Sequence, residues 1–333
     1  MEQKRIEIWN SGEYDYPHAF GFVPNLHTYL HEDDEIRPFF LVVPGGGYAY
    51  CSENEGEIVA RTFYEKGYQA AVLTYTTNPL SLVPLHEQPL KDIARAVRMI
   101  RAEKDEFRTF ADRIIICGFS AGAHVCGTLA EYHDTVADSL YPEVSAAPDR
   151  TVLCYPVITM GEYAHKGSVA ALLGTDASAE DIEKMSLEKN VREDMCPVFL
   201  WQTMEDKSVP VENSYLMAMA LKKKNIPFAH HVFTHGAHGL SVANQDLCDR
   251  KYANLYTLDQ VFALMDAIRN GSFVPEDPNT EKALDEKFSY RKDPNWRDAS
   301  RKPNPDAARW VELCASWLET SFAPVQETVI TSV

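Results

Sequence analysis

Six short apolar runs recur along the chain, each bounded by turn-forming or polar residues: 37–45 (RPFFLVVPG), 68–75 (YQAAVLTY), 113–120 (RIIICGFS), 151–159 (TVLCYPVIT), 197–205 (PVFLWQTME) and 228–236 (FAHHVFTHG). The middle four are almost continuously apolar, the pattern of strands covered on both faces. Between the runs lie stretches with helical periodicity at 55–67, 87–107, 122–133 and 211–225, and Gly67 and Asn225 sit where two of these should end. Strand and helix alternating at these lengths predict a parallel α/β sheet with helices on both faces. Segments 5–9 and 25–32 predict antiparallel strands at its edge. From about 246 to 305 the pattern fails: the stretch is polar and proline-rich, apart from one helical piece at 255–271. A last amphipathic helix is predicted at 305–319. The odd stretch has too few apolar residues for a second core, so it reads as an insertion before the last helix of one domain spanning 1–333.

The third run carries the candidate chemistry. Gly118-Phe119-Ser120-Ala121-Gly122 fits G-x-S-x-G in the context that motif needs, an apolar strand before and a helix after. A sharp corner there exposes the Ser120 hydroxyl, and the new helix aims free N–H groups at whatever binds above it. The alternative is a small residue in a tight turn. A serine hydroxyl is a weak nucleophile and needs a base, which needs an orienter. Asp206, after the 197–205 run, and His238, between Gly236 and Gly239 after the 228–236 run, supply them in the motif's usual chain order. Both fall at the carboxyl ends of predicted strands, where open α/β sheets bind ligands. Glu205 is the rival acid. His235, His230 and His231 are the rival bases; His230 and His231 read as packing or surface residues, His235 as a buried hydrogen-bonding residue before the glycine turn, and His124 as a structural neighbour of the corner.

Negative charge that develops on a carbonyl oxygen needs fixed donors. Residues 44–50, PGGGYAY, follow the first run, and their glycines let backbone amides approach without obstruction. The expected donors are Gly46 or Gly47 together with Ala121. No lysine follows the glycines as in a phosphate-binding loop.

Composition narrows the partners. With 49 acidic against 32 basic side chains the formal net charge is −17, which argues against nucleic acid and fits a small neutral substrate. The seven cysteines match neither a disulfide framework nor paired zinc-site spacing. No metal or organic cofactor is expected. The N-terminal stretch lacks the apolar core of a secretion signal, and no run approaches the roughly 20 apolar residues of a membrane span. The expectation is therefore cytoplasmic, with no membrane partner.

With these pieces assembled, the chain resembles the α/β-hydrolase superfamily, and within it the bacterial branch of acetyl esterases, acetylxylan esterases and feruloyl-esterase-like proteins. The resemblance rests on residues 42–75, 112–125, the 197–221 stretch, HGAHGLSVA at 235–243 and the last helix, with Pro44 where many relatives have histidine. It implies an α/β-hydrolase fold with Ser120, Asp206 and His238 as a triad and Gly46, Gly47 and Ala121 as oxyanion donors. The implied reaction is removal of a short acyl group, acetyl foremost, from a sugar such as an acetylated xylo-oligosaccharide. Tyr48 and Trp296 are the expected substrate contacts, with Tyr252, Tyr256, Phe288 and Tyr290 as further aromatic candidates should the insertion cover the site. A homo-oligomer contact is the other role open to the insertion. Feruloyl ester or peptide cleavage on the same scaffold, or ligand binding without catalysis, are the competing functions.

Overall fold

The structure is a computed structural model and describes residues 1–293 and 295–322. Eight strands form one sheet: β1 (Arg5–Glu7), β2 (Asn25–Tyr29), β3 (Arg37–Val43), β4 (Gln69–Thr74), β5 (Thr109–Phe119), β6 (Arg150–Cys154), β7 (Val198–Thr203) and β8 (Phe228–Phe233), in the order β1-β2-β4-β3-β5-β6-β7-β8. From β4 to β8 all neighbours are parallel. The pairings β1–β2 and β2–β4 are antiparallel, as the position of β1 and β2 before the first βα unit suggests. The central strands β4, β6 and β7 are buried at nearly every position, whereas β8, at the edge, is only partly covered.

Helices α1 (Glu57–Glu65), α2 (Gln88–Ala102), α3 (Ala121–Tyr132), α4 (Lys166–Leu173), α5 (Ala179–Lys184), α6 (Glu212–Lys223), α7 (Gln245–Cys248), α8 (Asp259–Arg269), α9 (Thr280–Phe288) and α10 (Trp310–Ser321) complete the chain. Gly67 and Asn225 follow α1 and α6 with φ of 91° and 58°, the left-handed conformation that stops a helix. One apolar cluster packs α2, α3 and α6 on one face, around residues such as Ile93, Val97, Leu129, Leu153 and Leu221. A second packs α1 and α10 on the other, where Trp310 stacks on Trp201 with ring centroids 5.5 Å apart.

Some boundaries differ from the sequence reading. β6 stops at Cys154 because Tyr155 turns to φ 36°, and the amides of Ile158 and Thr159 donate to the Asn213 side chain instead of to a strand. Helices α4, α5, α7 and α9 are absent from the sequence reading. α9 turns only Leu284 and Phe288 fully inward, too few apolar positions to show a period. These two join Leu258, Val261, Leu264 and Met265 of the 255–269 stretch in a satellite cluster that packs on Phe20, Tyr50 and Leu80.

Candidate active site

The sheet order reverses around β3, which has β4 on one side and β5 on the other. The loops leaving the carboxyl ends of β3, β5, β7 and β8 therefore meet at one rim. Ser120 is the corner between β5 and α3, held at φ 52° and ψ −117°. Its amide donates to the carbonyl of Cys154 and its carbonyl accepts from Val157, so the turn is tied to the strand beside it. A Cβ on Gly122 would lie 2.2 Å from the Val43 carbonyl oxygen, so only glycine lets α3 begin so close to β3.

The three distant loops converge. His238 Nε2 lies 2.8 Å from Ser120 Oγ, and Nδ1 lies 2.6 Å from Asp206 Oδ2. The other carboxylate oxygen of Asp206 accepts the amides of Ser208 and Val209 at 2.9 and 3.0 Å, so turn and orienter are one residue. The Asp206 side chain is fully buried while that of His238 is 21% exposed, a dry acid behind a base that substrate can reach. Glu205, the rival acid, pairs instead with His235 at 2.9 Å, and both side chains are more than half exposed. His230 faces Ser214, and His231 packs on Phe199. The His238 loop is held from three sides. The Ser241 amide donates to the Tyr155 hydroxyl, the Trp310 indole donates to the Ser241 carbonyl, and Asn304 Nδ2 donates to the His235 carbonyl.

The glycine loop approaches from β3. Gly46 has φ 120°, and a Cβ there would lie 2.1 Å from the Tyr50 carbonyl oxygen. Among the described residues no group accepts a hydrogen bond from the amides of Gly46, Gly47 or Ala121. Gly46 and Gly47 line the same cavity as Ser120, and Ala121 follows Ser120 directly in the chain. Beneath the loop lies Glu55, which sequence reasoning missed. It is buried, with Oε2 accepting the Gly45 amide at 2.8 Å and Oε1 accepting the Tyr155 hydroxyl at 2.7 Å. Burial raises its carboxyl above the usual range, and the hydrogen bond from Tyr155 opposes that rise. Tyr155 also receives the Ser241 amide, so one chain of hydrogen bonds joins the glycine loop, the end of β6 and the His238 loop. An acid ahead of a helix reads in sequence as an exposed capping charge; nothing local announces its burial.

The cavity above Ser120 and His238 has a volume of ≈ 510 Å³. Tyr48 does not line it. Its ring is buried and its hydroxyl lies 2.7 Å from His124 Nδ1, anchoring the glycine loop to α3 rather than touching substrate. Trp296 does not line it either. It packs on Tyr290, with the Arg250 guanidinium over its ring. Tyr256 stacks on His27 and Tyr252 lies under Arg61, so the aromatic residues of the insertion fasten it down. What the insertion gives to the cavity is Lys287, Arg291 and Arg301. Among the described residues no group of three or more His, Cys, Asp or Glu is placed to hold a metal ion.

His124 Nε2 lies 2.8 Å from the Met185 carbonyl, so it is the donor and Nδ1 accepts from Tyr48. Burial pushes this imidazole down to about 4, and His27 moves the same way. The unfolded chain therefore binds more protons than the folded one between about pH 4 and 6.5. Stability is full above 6.5 and falls as pH drops toward 4, by on the order of 3 kcal/mol for His124. Thermal melts from pH 8 to 5 should show this acid slope, and His124→Asn should flatten it while lowering Tm at pH 8.

Comparison with known proteins agrees with this architecture. The BD-FAE family model matches residues 26–221. Endo-1,4-beta-xylanase B of Butyrivibrio fibrisolvens is 48% identical over 262 residues, 78% of this chain and 41% of that protein. Acetylxylan esterase of Xylanibacter ruminicola is 26% identical over 205 residues, 59% of this chain and 40% of that protein. The chain thus spans about two-fifths of the length of these curated relatives. Among solved structures, an acetyl ester-xyloside bifunctional hydrolase from Caldicellulosiruptor lactoaceticus superposes with a TM-score of 0.68 at 35% identity, covering 82% of this chain and 97% of that one. More than half of the sequence matches the family model, and the sheet is the mostly parallel one of an α/β-hydrolase: the chain belongs to the BD-FAE family and is an esterase-like α/β-hydrolase.

Proposed function

We propose that the chain is a serine carboxylesterase that removes short acyl groups, acetyl foremost, from carbohydrates such as acetylated xylo-oligosaccharides. The observation that carries this reading is His238, bonded to Ser120 on one side and to buried Asp206 on the other, beside three amides with no acceptor among the described residues. Ser120 Oγ attacks the ester carbonyl carbon while His238 Nε2 takes its proton. Asp206 holds the opposite nitrogen as a donor and stabilises the imidazolium. The carbonyl oxygen gains charge against the amides of Ala121 and of Gly46 or Gly47. Collapse breaks the ester C–O bond, His238 protonates the departing alcohol, and water repeats the sequence on the acyl-enzyme.

The names of the relatives point both to esters and to xylosidic bonds. Glycosidic cleavage by protein carboxylates uses two of them flanking the bond. Among the described residues Glu55 is the one acidic residue lining the cavity, and hydrogen bonds already occupy both its oxygens, which favours the ester. The decisive assay compares p-nitrophenyl acetate, p-nitrophenyl butyrate, methyl ferulate and a p-nitrophenyl xyloside. Acetate should be the fastest, and acetylated xylo-oligosaccharides should release acetate. Faster turnover of ferulate would move the reading to the feruloyl branch. Xyloside cleavage that survives Ser120→Ala would overturn it.

A further inference from the structure

The cavity over Ser120 has a basic lining on an acidic protein. Its lining includes Lys287, Arg291 and Arg301, all from the insertion, against one carboxylate, Glu55, while the chain as a whole carries 49 acidic and 32 basic side chains. The fold accounts for only part of this charge. Arg291 Nη1 lies 2.5 Å from Glu53 Oε2, but Arg250 also approaches Glu53, at 3.7 Å, so two guanidinium groups share one carboxylate. Glu55 accepts from Gly45 and Tyr155, and among the described residues no arginine or lysine nitrogen comes within ion-pair distance of it. Lys287 and Arg301 have no ion-pair partner among the described residues. The Lys287 ammonium lies over Tyr50 and Phe288, at 5.2 and 5.3 Å from the ring centroids. Desolvation, with Arg291 adding to it, lowers the Lys287 pKa. Lys287 is exposed at the cavity beside the Arg291 cation, and an incoming anion would offset the repulsion between the two.

We propose that Lys287 and Arg301, backed by Arg291, form an anion subsite that makes esters bearing a carboxylate the preferred substrates of this cavity. The inference rests on the esterase reading of Ser120 and His238 and adds the charge of what they cleave. The carboxylate can belong to the alcohol, as in a uronic acid, or to the acyl group, as in a dicarboxylic half-ester. Each source has a matched pair of probes. Acetylated methyl glucuronoside against acetylated methyl glucoside changes only C6, and p-nitrophenyl hemisuccinate against p-nitrophenyl butyrate changes only the acyl terminus.

For one of these pairs the kcat/KM ratio of anion to neutral should be about 10 or more at low ionic strength and should shrink as salt approaches about 0.5 M. Lys287→Gln with Arg301→Gln should bring that ratio down about 10-fold, toward one. Lys287→Arg should restore much of it, which a merely structural lysine would not explain. Ratios near one for both pairs, with p-nitrophenyl acetate still hydrolysed, overturn the anion subsite and leave the esterase reading intact. Equal losses on anionic and neutral partners in the double variant overturn it too. No hydrolysis of any ester removes both.

Discussion

Ser120→Ala is expected to lower kcat for p-nitrophenyl acetate by about 10⁴–10⁶-fold, leaving whatever the glycine-loop amides and binding alone provide. Among the described residues Ser120 Oγ hydrogen-bonds only with His238, so its loss removes the attacking atom without opening a packed core. Tm should therefore stay close to that of the wild type. Asp206→Asn should cost a comparable factor by a different route. Asparagine can still accept the Ser208 and Val209 amides, but an NH₂ facing His238 Nδ1 selects the tautomer that cannot take the serine proton. Steady-state kinetics with circular dichroism and thermal melts separate the two effects. A Ser120→Ala variant with a tenth of wild-type turnover would remove the residue from the reaction.

Glu55→Ala is the second large effect, and it arises at a residue that touches neither serine nor histidine. Truncation strands the Gly45 amide and the Tyr155 hydroxyl in a buried place, each a loss of about 1–3 kcal/mol, and leaves a void beneath the glycine loop. Together the expected destabilisation is about 3–5 kcal/mol. Because the same carboxyl ties the oxyanion loop to the His238 loop through Tyr155 and Ser241, kcat should drop about 100-fold in the folded fraction, as small misplacements of reacting groups do. Glu55→Gln separates charge from shape. Its oxygen can keep the Gly45 amide and its NH₂ can donate to the Tyr155 oxygen, so it should recover most of the stability. Wild-type kcat in folded Glu55→Ala would show that the loops hold their positions without it.

Much of the site was legible in the residues because its members sit at strand ends whose apolar runs are unmistakable. Ser120, Asp206 and His238 each follow such a run, and a parallel sheet brings those ends to one rim regardless of loop detail. Glu205 and Asp206 differ by one position on an extended backbone, so their side chains diverge. One turned inward to His238 and the other outward to His235. What could not be read were interactions across the chain. Tyr48 stands among the glycines like a substrate contact, yet its partner is His124, 76 residues away. Glu55 is explained by Tyr155, 100 residues away. The insertion misled for a related reason. Its aromatic residues suggested substrate contacts, whereas Tyr256 packs on His27 of the body and Trp296 on Tyr290 within the insertion, and basic side chains reach the cavity.

The most direct measurement is the mass-spectrometric location of a fluorophosphonate adduct after stoichiometric inactivation. One adduct on Ser120, with labelling lost in Ser120→Ala and strongly slowed in His238→Ala, is the expected result. Inactivation with the label on any other residue, or full esterase turnover while Ser120 remains unmodified, would contradict the claim that this corner hydroxyl is the nucleophile.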